Sequence, residues 1–196
     1  MLKIYGEKRI KRIIEGCGEW IKSIEERFGL PSAALKAILR QELSQIDLID
    51  LAADRAVIVY WRFYRLFRRV PRFGKRDSST GCAQVFASTA IDSLNFAFDR
   101  QLTDARSLGL IIDHKLQKTN PSDLCMIWQM LHRDRFFNVL CAALTLLAAA
   151  DEMNGTIDFS RYTPRQWQLT FSRYNANTRQ ITRYGQQAYT GYQSFL

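Results

Sequence analysis

The chain has 196 residues, which suits one domain of ordinary size. Hydrophobic residues are 47% of it, enough to bury a core, and this excludes an intrinsically disordered chain. Charge is unbalanced, 28 Lys+Arg against 19 Asp+Glu for a net +9, which favours an acidic partner: nucleic acid, anionic lipid or an anionic wall polymer.

Residues 2 to 28 read as a basic amphipathic helix, with Ile10, Ile13, Ile14, Ile21, Ile24 and Phe28 in helical register and Gly16 and Gly18 interrupting it. Gly29 is a helix stop and Pro31 suits the first turn of the next helix. That helix spans Ser32 to about Leu48 and carries Leu35, Ile38, Leu39, Glu42, Leu43 and Ile46 on one stripe. A further helix is expected over 52–70, with Val57, Tyr60, Trp61, Tyr64 and Phe67 on its apolar face. Arg55, Arg62, Arg65, Arg68 and Arg69 form its basic side, and Pro71 and Gly74 end it. Residues 72–83 are turn-rich and polar. Helical pattern resumes from Gln84 to about Gln101, and 104–120 is mixed. Ser122 to about Met153 reads as one or two helices with a very apolar second half, stopped by Asn154-Gly155. Pro164 opens another helix, and the last runs from Thr178 to the end. No run alternates convincingly as a strand, so the expectation is a mainly α single domain with little or no sheet.

The four cysteines, Cys17, Cys82, Cys125 and Cys141, form no C-x-x-C pair, and neither His114 nor His132 stands at metal-ligand spacing from one. No metal or cofactor is therefore expected. Cys125 and Cys141 lie in apolar stretches and read as small buried hydrophobes. The N-terminus carries charges throughout and has no apolar run of signal-peptide length. The longest uncharged apolar run, Phe136–Ala150, is shorter than a bilayer span. The reading is a soluble chain made in the cytoplasm without a classical signal peptide.

Glu42 is the odd member of its stripe, a carboxylate on a face that otherwise points at the core. Taken alone, it is more often a boundary residue reaching water or an arginine such as the adjacent Arg40. The sharper reading is a carboxylic acid in a low-dielectric cleft, where burial disfavours the charged form and raises the pKa. A general acid for glycoside cleavage needs that shift.

Three segments bear on the choice. Leu30–Gln45, LPSAALKAILRQELSQ, resembles the opening of soluble lytic transglycosylases and goose-type lysozymes, where a helix starting near a Pro runs to the catalytic Glu, often as R-Q-E-S. Here Arg40-Gln41-Glu42 is followed by Leu43 before Ser44. Gly81–Ile91 is similar to that family's G-L-M-Q-[LV]-x-P-x-T-A segment, matching in Gly81, Gln84 and the pair Thr89-Ala90 but not in the Leu-Met or the Pro. Arg173-Tyr174-Asn175-Ala176-Asn177 resembles A-Y-N-A-G, with Asn177 for the Gly, and Tyr184-Gly185 and Tyr189 come after it much as in the family. The stretch between Glu42 and Gln84 is longer than in typical members and includes the Arg/aromatic helix.

The resemblance implies a lysozyme-like fold with an active-site cleft, a catalytic domain over 30–196 and an N-terminal basic helix, 1–29, packed on it. It implies a peptidoglycan-cleaving glycosidase acting on the β-1,4 bond between N-acetylmuramic acid and N-acetylglucosamine. Glu42 would be the catalytic acid, and Asp77, in GKRDSSTG, the candidate second carboxylate for a hydrolytic outcome. Asp77 also reads as a turn or cap residue, slightly the commoner explanation. Asp47, Asp50 and Asp54 are weaker candidates. Ser79 and Gln84 would hydrogen-bond substrate, Tyr174 would lie over the cleft near Glu42, and Asn175 would anchor its motif or touch an acetamido group. The partners implied are peptidoglycan glycan strands, with anionic wall polymers for the basic surface, after release or specialised export. The Arg/aromatic helix reads most simply as core aromatics with solvated arginines. A cationic face for wall polymers and a nucleic-acid surface are the alternatives, and no nucleic-acid motif accompanies the latter.

Overall fold

The computed structural model describes residues 4–67, 69, 70, 73–112 and 114–196. Among these the architecture is mainly α, with a single isolated bridge, Thr80 to Val85, outside the helices. The helices are α1 (Glu7–Gly16), α2 (Gly18–Phe28), α3 (Ser32–Gln45), α4 (Leu48–Phe67), α5 (Ala87–Asp99), α6 (Pro121–Arg133), α7 (Arg135–Asn154), α8 (Pro164–Asn175) and α9 (Arg183–Gln193).

Local chemistry accounts for most boundaries. The helix expected over 2–28 is two, broken at Cys17 between the two glycines, with residues 2 and 3 outside the described residues. Gly29 ends α2 in the left-handed conformation expected of a helix stop. Between α3 and α4, Asp47 accepts from the N–H groups of Ile49 and Asp50 (2.7 and 3.0 Å), while Asp50 accepts from the N–H of Asp47 (3.0 Å). This reciprocal cap starts α4 at Leu48, four residues earlier than its apolar pattern suggests. Arg68 and Pro71, assigned from sequence to that helix's basic side and its end, lie outside the described residues. Asp134 splits the Ser122–Met153 stretch in two by capping α7 through the N–H of Phe137 (3.0 Å). Thr163 and Gln166 form a capping box at α8, with Pro164 in its first turn. The last helix begins at Arg183, capped by Thr182, rather than at Thr178.

The core forms around α7, which is apolar on every side and buried along most of its length. It packs against α2, α5, α6 and α8, while α9 lies across α8 and α3. α7 extends beyond the Phe136–Ala150 run and is long and apolar enough by length and composition to cross a bilayer, but in this fold it is the central core helix. α1 and α2 pack against α3. Cys125 and Cys141 are buried, and all four cysteines are free.

Two close approaches set how the elements around the cleft meet. At Gly185 a Cβ would meet Ser172 Oγ at 2.0 Å and the Gln168 carbonyl oxygen at 2.4 Å, so α9 crosses α8 where only glycine fits. At Gly81, with φ +76, a Cβ would meet the Asn138 amide at 2.3 Å, so the loop before α5 lies directly on α7.

Candidate active site

Glu42 sits in the third turn of α3, on the face that turns from the core toward the junction of α3 and α4. Its neighbours Leu39 and Leu43 are buried at 0% and 2% exposure, so the helix places the carboxyl at the edge of the apolar interior. From α9 the buried Tyr184 donates its hydroxyl to Glu42 Oε1. Burial pushes the Glu42 carboxyl from 4.5 up to about 7; the Tyr184 hydrogen bond opposes the rise and the charge of Asp50 adds to it. Tyr184 is itself held well above the usual phenol range, by burial first and by the charge of Glu42 second, so it stays protonated and donates.

The carboxyl opens into a cleft of about 1030 Å3. One wall is α3, through Ala37, Arg40 and Gln41; the other is α9, through Gln187, Thr190 and Gly191, with Ser194 just past its end. Gln41 Nε2 donates to Gln187 Oε1 across it at 3.1 Å. The α3–α4 junction, from Ile46 to Asp50, forms one end. The loop before α5 adds Ser79 and Gln84. Polar side chains at a single concave site, with a carboxyl near neutrality, give a group able both to donate and to accept a proton.

The loop 78–85 is built rather than loose. Thr80 and Val85 exchange two backbone hydrogen bonds of 3.2 Å around a tight turn. Asn138 of α7 pins the turn, accepting from the N–H of Ala83 (2.8 Å) and donating to the Thr80 carbonyl (2.8 Å). Gln84 takes φ 48, a conformation few non-glycine residues adopt, and this starts α5 at Ala87 rather than at Gln84. Its amide is held from both sides: Ser79 Oγ donates to Oε1 (3.1 Å) and Nε2 donates to the Gly81 carbonyl (2.7 Å). Below, Asp54 accepts from Ser78 (2.6 Å) and Thr80 (2.9 Å), tying the loop to α4.

The residues singled out from sequence divide into two groups. Glu42, Ser79 and Gln84 line the cleft together. Tyr174, Asn175 and Asp77 do not. Tyr174 points inward and donates to the Ala83 carbonyl (3.0 Å), so it supports the loop rather than covering the cleft, although the Glu42 charge, after burial, helps raise its pKa. Asn175 is exposed at the end of α8. Asp77 spends both carboxylate oxygens on the first N–H groups of α5, from Ala87 and Ser88 (each 2.9 Å), and is a helix cap. Among the weaker candidates, Asp47 is buried in its own cap and Asp54 is tied to the loop, whereas Asp50 lines the cleft close enough to act on Glu42. Sequence reasoning noted Tyr184 only as part of a Tyr-Gly pair; Gly185 was the usable signal, because it lets α9 approach α8 closely enough to deliver that phenol.

Compared with known proteins, the chain matches no family model, no curated protein and no solved structure.

Proposed function

We propose that the protein is a peptidoglycan-cleaving glycosidase of the lysozyme-like kind, acting as a lytic transglycosylase on the β-1,4 bond between N-acetylmuramic acid and N-acetylglucosamine. One observation carries the reading: Glu42, on the segment that resembles the family's catalytic helix, is a carboxyl raised to about 7 at the floor of an open, polar cleft. The convergence of two resembling segments supports it, since Glu42 and Gln84 line the same cleft and Tyr174, from the third, props the Gln84 loop.

In this reaction Glu42 starts protonated. It gives its proton to the glycosidic oxygen as the C1–O bond breaks, and the muramic ring takes up oxocarbenium-like charge. The Glu42 carboxylate, stabilised by the Tyr184 hydroxyl, then takes the proton of the muramic 6-hydroxyl as that oxygen closes on C1. The products are a new chain end on the leaving sugar and a 1,6-anhydro ring, and Glu42 regains its proton. One carboxyl serves both steps. Ser79 and Gln84, already mutually hydrogen-bonded, would orient polar groups of the glycan, and the basic surface would favour anionic wall polymers.

A hydrolytic outcome is the second reading, and Asp50 is the observation that favours it. Asp50 shares the cleft with Glu42, whereas Asp77 caps α5, so Asp50 would position the water. Digestion of purified peptidoglycan with mass spectrometry of the products tests both. Release of 1,6-anhydro-muropeptides by the parent chain and none by Glu42→Gln is expected. Products heavier by one water would transfer the reaction to hydrolysis with Asp50. No release from several wall types would overturn the enzymatic reading and leave a non-catalytic basic protein binding wall polymer or nucleic acid.

A further inference from the structure

Helix α4 has two apolar faces, and only one is used. Val57, Tyr60 and Trp61 are buried at 0%, 4% and 1% exposure and attach the helix to the body. Turned away from that face, Val59, Phe63 and Leu66 are 66%, 45% and 75% exposed, and Phe67, one heptad past Tyr60 at the end of the helix, is 54% exposed and borders them. At i, i+4 and i+7/i+8 spacing these four form one continuous stripe, and the Phe63 and Phe67 rings touch at 4.5 Å between centroids. An unbroken exposed apolar stripe of this kind marks a docking surface.

The charges beside the stripe point to its occupant. Arg55, Arg62 and Arg65 are exposed along one edge, and among the described residues none forms an ion pair. The two acids of the helix, Asp50 and Asp54, are engaged in the cap and with the Ser78–Thr80 loop. A helix with an apolar face and an arginine margin fits the interface of an anionic bilayer, with aliphatic side chains below the headgroups and guanidinium groups among the phosphates. A sugar-phosphate polymer would engage the arginines but offers no apolar phase for Val59 and Leu66, the two most exposed members of the stripe. A second copy docked antiparallel would set the two arginine rows on the same edge, and each copy carries +9.

We infer that α4 is a membrane-docking element, binding the surface of a bilayer rich in anionic lipid through the Val59–Phe67 stripe and its arginines. The N-terminal end of α4 lines the cleft through Ile49 and Asp50. At about 1.5 Å rise per residue, Phe63 lies about 20 Å further along the helix. Docking would therefore hold the cleft at a fixed height above the lipid surface. Membrane docking rests on α4 alone and not on the reading of the cleft.

The test is flotation of the full chain with vesicles of phosphatidylglycerol and phosphatidylcholine in equal parts, beside vesicles of phosphatidylcholine alone. The chain is expected to float with the first and stay behind with the second. Phe63→Ser with Leu66→Ser should lower binding at least about tenfold, since both side chains lose their apolar burial. Arg62→Gln should lower it about fivefold. All three substituted side chains are exposed, and an unchanged far-ultraviolet circular dichroism spectrum verifies the fold. Absence of flotation, equal binding by the double variant or equal binding to neutral vesicles would each overturn the inference. So would a dimer of the parent chain that the double variant dissolves, or DNA binding that the double variant leaves intact while vesicle binding is missing.

Discussion

Glu42 and Asp77 carry the same functional group in opposite surroundings. Glu42 stands on an apolar helix face, open to the cleft on one side and given one strong donor, Tyr184. Asp77 lies in a polar loop and holds one backbone N–H of the start of α5 on each oxygen. One carboxyl is left hard to ionise and available to a ligand; the other is committed to folding. Residue type therefore says little about role, and the count and kind of donors around each oxygen says much more.

The largest expected effect separates the two directly. Glu42→Gln is isosteric and should cut muropeptide release by at least about a thousandfold, because the group proposed to give and take the proton is gone. Asp77→Ala should leave the product pattern unchanged. If instead Asp77→Ala matched Glu42→Gln in activity while remaining folded, the contrast between the two carboxyls would collapse. A smaller effect is expected from Tyr184→Phe. Its hydroxyl favours the charged form of Glu42, so its loss should raise the Glu42 pKa further. The alkaline limb of kcat/KM, expected near pH 7 in the parent, should move upward while the rate falls about tenfold. A limb that stays in place would remove Tyr184 from the proton path.

Asp77→Ala should show its effect in stability. Loss of two accepted N–H groups at a helix start is worth about 1–2 kcal/mol, read as a lower midpoint in urea with an unchanged slope. Asp77→Asn, which keeps one good acceptor, should recover part of it. Full stability of the alanine variant would mean that water replaces the carboxylate at the foot of α5.

These contrasts were only partly legible in the sequence. Periodicity located the α3 stripe, and a carboxylate within it singled out Glu42 without any geometry. The cap between α3 and α4 was also readable in principle, as Asp-x-x-Asp, but the apolar pattern of α4 begins later and drew the boundary with it. The cap of α5 was not readable, because Asp77 reaches across ten residues to Ala87 and Gln84 adopts a conformation that side-chain type does not announce. Tyr174 and Tyr184 show a further limit. Both occur in short motifs, yet which one meets Glu42 depends on α9 crossing α8 at Gly185 and lying on α3, a long-range fact. Phe67 shares the apolar face of Val57, Tyr60 and Trp61 by periodicity yet is 54% exposed, because it stands in the last turn of α4, and periodicity does not say how far along a helix the body covers its face.

The subtlest test uses stability rather than activity and asks what burial of Glu42 costs. Its pKa is raised in the folded chain, from 4.5 to about 7, so the folded state binds the extra proton between those values. Stability conferred by the protonated group is fully present below about pH 4.5 and is lost as pH rises to about 7. Above that, the folded chain holds a poorly solvated carboxylate that the unfolded chain would hydrate. Glu42→Gln has nothing to titrate in this window. Its stability relative to the parent should therefore climb across it, by on the order of 1 kcal/mol, since the open side of the cleft screens part of the full shift. Denaturation of both chains at pH values on either side of the window measures the difference. A constant difference would show that the Glu42 carboxylate is as well solvated as an ordinary surface acid, and the distinction between it and Asp77 would lose its physical basis. A difference that opens with pH would tie the destabilising carboxyl and the proposed acid to the same residue, as expected where a site is built for chemistry at the expense of stability.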